Sequence, residues 1–292
     1  MIKRILVPVD GSQTAEAALQ MAIGLGNEMG AEVRLALVRE VSDQPLEDYL
    51  DTTTEVVRRQ LVSDGAFASS VFLEGRVAPA LCSEAEAADL VVMSSHGRGG
   101  FERMWVGSVT DAVLRQCSVP ILVVKPGNED VASSFRPFTR IAVPLDGSDA
   151  AKLAVEWAVE LAGRFGASVT LFRVASPVGT VLPGLDTREH ATELVGRLEA
   201  DARTDLEAVR SEVDDGSCPV DVAVRIHRSP ARGILEFVDE SAADLVVIVA
   251  QTRYPLKRAM LGSVADKVIR GSATPVLVVR SWKEETPPLG EG

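Results

Sequence analysis

The chain is written twice. Ile-Leu-Val-Pro-Val-Asp-Gly-Ser at residues 5–12 returns as Ile-Ala-Val-Pro-Leu-Asp-Gly-Ser at residues 141–148, displaced by 136. Ala-Asp-Leu-Val-Val at 88–92 returns at 243–247, and Gly-Ser-Val at 107–109 returns at 262–264, both displaced by 155. A repeat of about 140 residues exceeds the 20–50 residues of a solenoid unit and reads as a duplicated domain, each copy large enough to bury its own core. The expected domains are residues 1–126 and 138–282, joined by the turn-rich, charged stretch 126–137.

Each copy alternates short apolar runs with amphipathic stretches. Residues 2–9 are almost continuously apolar, as a strand buried on both faces must be. Ala15, Ala18, Leu19, Ala22 and Ile23 then recur at helical spacing up to Gly30, a helix stop, and a second apolar run covers 32–38. Further strands are expected at 67–73, 89–93 and 119–125, with helices around Val56, Val57 and Leu61, at 78–87 and at 108–116. The second copy repeats the order: strands at 140–145, 168–174, 220–226, 244–249 and 275–280, helices at 149–165, 189–211, 230–240 and 263–271. The 19 additional residues fall between Val174 and Asp244, where they lengthen the second helix and the loop before it. Strands alternating with helices specify an α/β fold: two tandem, doubly wound domains, each a parallel sheet with helices on both faces.

A formal net charge of −12 disfavours a nucleic-acid or anionic-membrane binder, since both need a cationic surface. No apolar run reaches the ~18 residues of a membrane span, and the amino terminus enters a strand at once, so a cytoplasmic protein is expected. Cys82, Cys117 and Cys218 show no Cys-x-x-Cys spacing and read as small buried thiols in a reducing compartment.

Ligands of an open parallel sheet bind beyond the carboxyl ends of its strands. In the first copy Asp10 ends one strand, Val38 another, and a loop from Ser94 to Gly107 follows a third. That loop carries His96, Gly97, Arg98, Gly99, Gly100 and Arg103, and Gly107-Ser108 opens the next helix. Glycines admit an anion close to backbone N–H groups, and a helix N-terminus adds free donors and partial positive charge. A Walker lysine is absent. Plainer readings stand beside this one. Ser108 and Ser263, each followed three residues later by Asp111 or Asp266, fit a capping box, and Asp10 and Asp146 fit the bracing of a strand-to-helix turn. His96 suits ligand contact or solvent equally, and Trp105, Trp157 and Trp282 suit packing.

With those residues in view, the whole chain resembles a tandem universal stress protein. The nucleotide-binding signature of that family is Gly-x2-Gly-x9-Gly-Ser/Thr. The first copy reads Ser94-x2-Gly97-x9-Gly107-Ser108, with serine for the first glycine and the spacing kept. The resemblance implies a five-stranded sheet in the order 3-2-1-4-5 and an adenine-nucleotide site. It places Val38 at the adenine and Pro8 and Asp10 along the nucleoside. Ser94, Gly97, Arg98, Gly99, Gly100, Gly107, Ser108 and Val109 then hold the phosphates of ATP, with Mg2+ or Mn2+ riding on them. It also implies that the fifth strands, Val119–Lys125 and Val276–Arg280, pair within one chain as an intramolecular pseudo-dimer, with association of two chains left open.

The second copy departs from the signature. Aligned on Gly262-Ser263, its two earlier glycine positions hold Val249 and Thr252, whose Cβ branches disfavour positive φ and fill space a phosphate needs. Asp146, Val174, Gly262, Ser263 and Val264 survive, and Arg253, Lys257 and Arg258 could substitute side-chain charge for backbone donors. The expectation is a weaker or empty second site. No nucleophile–histidine–acid set, metal-ligand cluster or His-x-Gly-His motif is present, so the expected function is a non-enzymatic, ATP-binding regulator of the stress response. The alternatives are a nucleotide-independent scaffold or a weak ATPase.

Overall fold

The computed structural model describes residues 2–39, 44–95, 106–125, 135–177, 188–250 and 261–280. The first half runs β1 (Arg4–Pro8), α1 (Gln13–Met29), β2 (Glu32–Arg39), α2 (Gln44–Gln60), β3 (Phe67–Glu74), α3 (Val77–Ala85), β4 (Leu90–Ser94), α4 (Ser108–Gln116) and β5 (Ile121–Val124). The second half runs β6 (Arg140–Pro144), α5 (Ala151–Phe165), β7 (Ser168–Ala175), α6 (Arg188–Val213), β8 (Val220–Ile226), α7 (Pro230–Ser241), β9 (Leu245–Val249), α8 (Ser263–Gly271) and β10 (Val276–Val279). The strand expected at 119–125 is shorter because Pro120 has no N–H to add to a ladder; its carbonyl instead accepts from Val91 N–H at 3.0 Å.

Both halves have the strand order 3-2-1-4-5, and they join into one ten-stranded sheet, β3-β2-β1-β4-β5-β10-β9-β6-β7-β8. Within each half the ladders are parallel. At the seam the direction reverses: β5 and β10 are antiparallel, with Val123 opposite Val276, Leu122 opposite Leu277 and Ile121 opposite Val278. All of these side chains are buried, and they alternate between the sheet faces as a pleated strand requires.

The helices cover the sheet in two layers, and each layer's core crosses the seam. Leu122 and Leu277 belong to the cluster under α1 and α5, together with Ile5, Leu25, Ile141 and Leu161. Ile121, Val123, Val276 and Val278 belong to the opposite cluster under α3, α4, α7 and α8. The apolar face read from α1 packs as expected: Ala15, Ala18, Leu19, Ala22 and Ile23 are all buried. The last residues before β6 also dock. Phe135 packs edge-on to Phe138, with ring centroids 6.2 Å apart, and lies where a Cβ on Gly24 would fall, 1.9 Å from its Cγ.

A polar network with internal twofold pattern crosses the seam between α4 and α8. Asp111 accepts from Arg115 at 2.8 Å and from Arg270 of the other half at 2.9 Å. Asp266 accepts from Arg270 at 2.9 Å and lies 3.9 Å from Arg115. Beside this core, Lys125 Nζ donates to the Arg270 carbonyl at 2.5 Å, and the Arg280 guanidinium donates to the carbonyls of Leu114 and Arg115. Each half thus sends one cation onto the exposed carbonyls at the other half's helix C-terminus, the end that favours positive charge. Burial lowers the Lys125 pKa, and burial followed by the charge of Arg115 pulls Arg280 down to about 10.

The cysteines depart from the expectation of free thiols. Cys82 of α3 and Cys117, the residue that closes α4, form a disulfide with their Cα atoms 4.9 Å apart, while Cys218 is free and buried. Their separation of 35 residues hid the pair, because only the packing of α3 on α4 brings them together.

Candidate functional site

The Asp-Gly-Ser triplet after β1 and after β6 builds the same turn. Asp10 Oδ1 accepts from the Ser12 N–H at 3.0 Å and its hydroxyl at 2.5 Å; Asp146 Oδ1 does the same with Ser148, at 3.0 and 2.6 Å. The intervening Gly11 and Gly147 have φ of +74° and +82°, a region that side chains disfavour. Bracing the turn is therefore one role of each aspartate. Pro8 is half-buried at that same end, and Val38 is half-buried in β2 on the face toward α3.

The capping role expected of Ser108 and Ser263 is not found. Gly107 and Gly262 take the N-cap positions with extended backbones, so the serines stand at the first helical position with exposed side chains. Asp111 and Asp266 take up arginines instead of reaching back to the cap. Both hydroxyls therefore sit beside the first-turn N–H groups, which have no intrahelical acceptor.

The two halves differ where β4 and β9 hand over to the next helix. In the first half Ser94 and Ser95 are buried, Thr110 Oγ1 donates to the Ser94 carbonyl at 2.8 Å, and Gly107 N–H donates to the Ser95 carbonyl at 2.6 Å. These bonds fix the start of α4 against the end of β4. At the matching positions the second half has Val249, Ala250 and Ala265, and no hydroxyl survives. The loss of polarity thus extends beyond the loop itself, into the floor of the site. Gly97, Arg98, Gly99 and Gly100, with His96 and Arg103, lie outside the described residues, as do Thr252, Arg253, Lys257 and Arg258.

In the second half Asp146, Val174, Gly262, Ser263 and Val264 come together around one cavity of about 870 Å³ at the carboxyl edge of the sheet. Arg173 and the α6 residues of its wall were not read from the sequence as site residues. Arg173 reaches in from β7, and α6 contributes Leu198, Asp201, Ala202 and Asp205. The signal for α6 was available, since positions 198, 201, 202 and 205 follow the i, i+3, i+4, i+7 rule for one helix face. Arg173 donates to Asp205 at 2.6 Å and lies 3.5 Å from the Asp146 carbonyl.

Among the described residues no group of three or more His, Cys, Asp or Glu could hold a metal, and no helix is long and apolar enough to cross a membrane.

Fold and site together define a duplicated, doubly wound α/β protein with a candidate pocket at the strand ends. The Universal stress protein family model matches residues 1–125 and again 137–280, and the chain belongs to that family. A universal stress protein of Mycolicibacterium smegmatis is 28% identical over 295 residues, covering 94% of this chain and 96% of that protein. Universal stress protein MJ0531 of Methanocaldococcus jannaschii is 32% identical over 159 residues, 54% of this chain and 91% of that one. Among solved structures, a universal stress protein from Archaeoglobus fulgidus superposes with a TM-score of 0.70 over 97% of both chains at 22% identity, a likeness of fold.

Proposed function

We propose that the chain is a non-enzymatic ATP-binding regulator of the stress response, with the nucleotide held in the first half. The observation that carries this reading is the hydrogen-bonded junction of β4 and α4. Thr110 Oγ1 and the Gly107 N–H tie the helix start to the carbonyls of Ser94 and Ser95, and Ser108 presents an exposed hydroxyl at the first helical position. A helix N-terminus held this way suits a phosphate group, and the sequence places Gly97, Gly99 and Gly100 in the loop that leads into it. Asp10 stands at the neighbouring strand end, where a carboxylate can accept from ribose hydroxyls. Val38 offers backbone groups one strand further along. Any Mg2+ or Mn2+ would be carried by the phosphates, since the described residues supply no metal-binding cluster of their own.

In this reading the two halves act as an intramolecular pseudo-dimer joined along β5 and β10, in which the second half supports the first. Calorimetric titration of the ligand-free chain with ATP tests it. Saturation at one ATP in the first half is expected, and Gly97→Val should weaken binding at least about a hundredfold, as expected when a Cβ branch displaces bonds to charged groups. Absence of saturation at millimolar ATP would overturn the reading in favour of a nucleotide-independent scaffold.

A further inference from the structure

One helix contact is made differently in the two halves. Cys82 is the sixth residue of α3, and Leu235 is the sixth of α7. Cys117 and Ser272 follow the last residues of α4 and α8, both with extended backbone, and their N–H groups donate to the Val113 and Val268 carbonyls at 2.9 and 2.8 Å. In the second half the contact is noncovalent. Leu235 packs so closely on Gly271 that an added Cβ would fall 2.6 Å from its Cδ1, and buried Ser272 donates its hydroxyl to the Thr274 carbonyl at 2.9 Å. In the first half the same positions hold the Cys82–Cys117 bond. The architecture therefore does not require a covalent tie at this place.

The bond also stands beside the seam. The carbonyls of Leu114 and Arg115, just before Cys117, accept from Arg280 of the other half, and Asp111, one turn earlier, accepts from Arg270. Its two ends differ in access: Cys117 is 1% exposed, whereas Cys82 is only half-buried. Thiol–disulfide exchange needs a thiolate to reach one of the sulfurs, and here the approach is from Cys82.

We propose that Cys82 and Cys117 form a reversible dithiol–disulfide site, reduced by a dithiol, that sets how firmly α4 grips the second half. A thiolate of the reductant attacks Cys82 Sγ and forms a mixed disulfide. The electron pair of the broken bond leaves on Cys117 Sγ, which takes up a proton. The reductant's second thiolate then attacks the reductant sulfur of the mixed disulfide and releases Cys82, which is protonated in turn. Two electrons and two protons pass to the protein, and the reductant departs as a disulfide. Reoxidation by a disulfide runs the same steps in reverse. Once reduced, the carboxyl end of α4 loses its tether to α3, and the carbonyls that receive Arg280 are held only by the helix's own hydrogen bonds and packing.

The test uses the full chain, equilibrated without denaturant in oxidised glutathione, then in dithiothreitol, then in oxidised glutathione again. Mass spectrometry after a denaturing quench and alkylation is expected to find Cys82 and Cys117 joined, then separately alkylated, then joined again. Amide exchange of residues 110–117 should be at least about tenfold faster in the reduced state, as a locally opened segment allows. Exchange of residues 263–271 should quicken severalfold through Arg270, while β7 and β8 stay unchanged. Cys117→Ser, which puts the second half's residue at this position, should exchange at the reduced rate with or without dithiothreitol. If that variant does not fold, the two states of the unaltered chain still decide the matter. The proposal is overturned if the folded chain resists dithiothreitol, if the pair does not rejoin, or if reduction leaves residues 110–117 unmoved. It is equally overturned if reduction speeds exchange alike in every strand, which would make the bond a staple of the whole fold.

Discussion

Asp111 holds two guanidinium groups on one carboxylate, one from its own helix and one from the other half of the chain. Arg115, and then Arg270, keep its pKa below the usual carboxylate value. A carboxyl whose folded pKa is depressed contributes stability that is complete above its unfolded value, about 4, and lost as the pH falls through the folded value. We therefore expect Asp111→Asn to cost about 1–2 kcal/mol at pH 7, as for a partly buried member of a charged network. Its urea midpoint should then fall less than that of the unaltered chain between pH 7 and pH 3. Parallel midpoints across that range would remove Asp111 from the acid response. At this scale the sequence was legible where residue chemistry allows one geometry. Asp-Gly-Ser could be read as a braced turn because glycine alone enters positive φ easily and aspartate accepts from the residue two ahead. The serines of Gly-Ser-Val were legible as a helix start but not in their exact place, because glycine is also an acceptable N-cap and moved them one position inward.

Among the elements, α3 and α4 are tied by the Cys82–Cys117 bond across 35 residues. Loop-closure arguments give a disulfide of that span about 3–4 kcal/mol, so Cys82→Ser should lower the unfolding free energy by roughly 2–4 kcal/mol. Thiol labelling of the denatured, unreduced chain should modify Cys218 alone; labelling of all three cysteines would show that the bond is absent from the purified protein. The helices were readable from apolar residues at helical spacing, as in α1 through Ala15, Ala18 and Ala22, and the strands from short continuous apolar runs buried on both faces, as in β4 and β5. The disulfide was not, since residue spacing cannot report which helices pack together. Nor was the α6 wall, because helical spacing places Asp201 and Asp205 on one face but does not say that a cavity lies beside it.

For the whole molecule, the seam decides cooperativity. Both core clusters run through β5 and β10, and Leu122, Leu277 and their neighbours are almost fully buried. The halves should therefore melt in one transition. Leu277→Asp, which places a charge in that core, should lower the stability of both halves by at least about 3 kcal/mol, and two separate calorimetric peaks in the unaltered chain would contradict a shared core. The duplication made the two sheets legible, whereas their fusion came only from family resemblance, because four-residue apolar strands pair equally well in many registers. The antiparallel seam has one more consequence. Since strand direction reverses there, the carboxyl edges of the two halves open on opposite sides of the molecule. No single small ligand can span both mouths, and a partner that covers one leaves the other open to solvent.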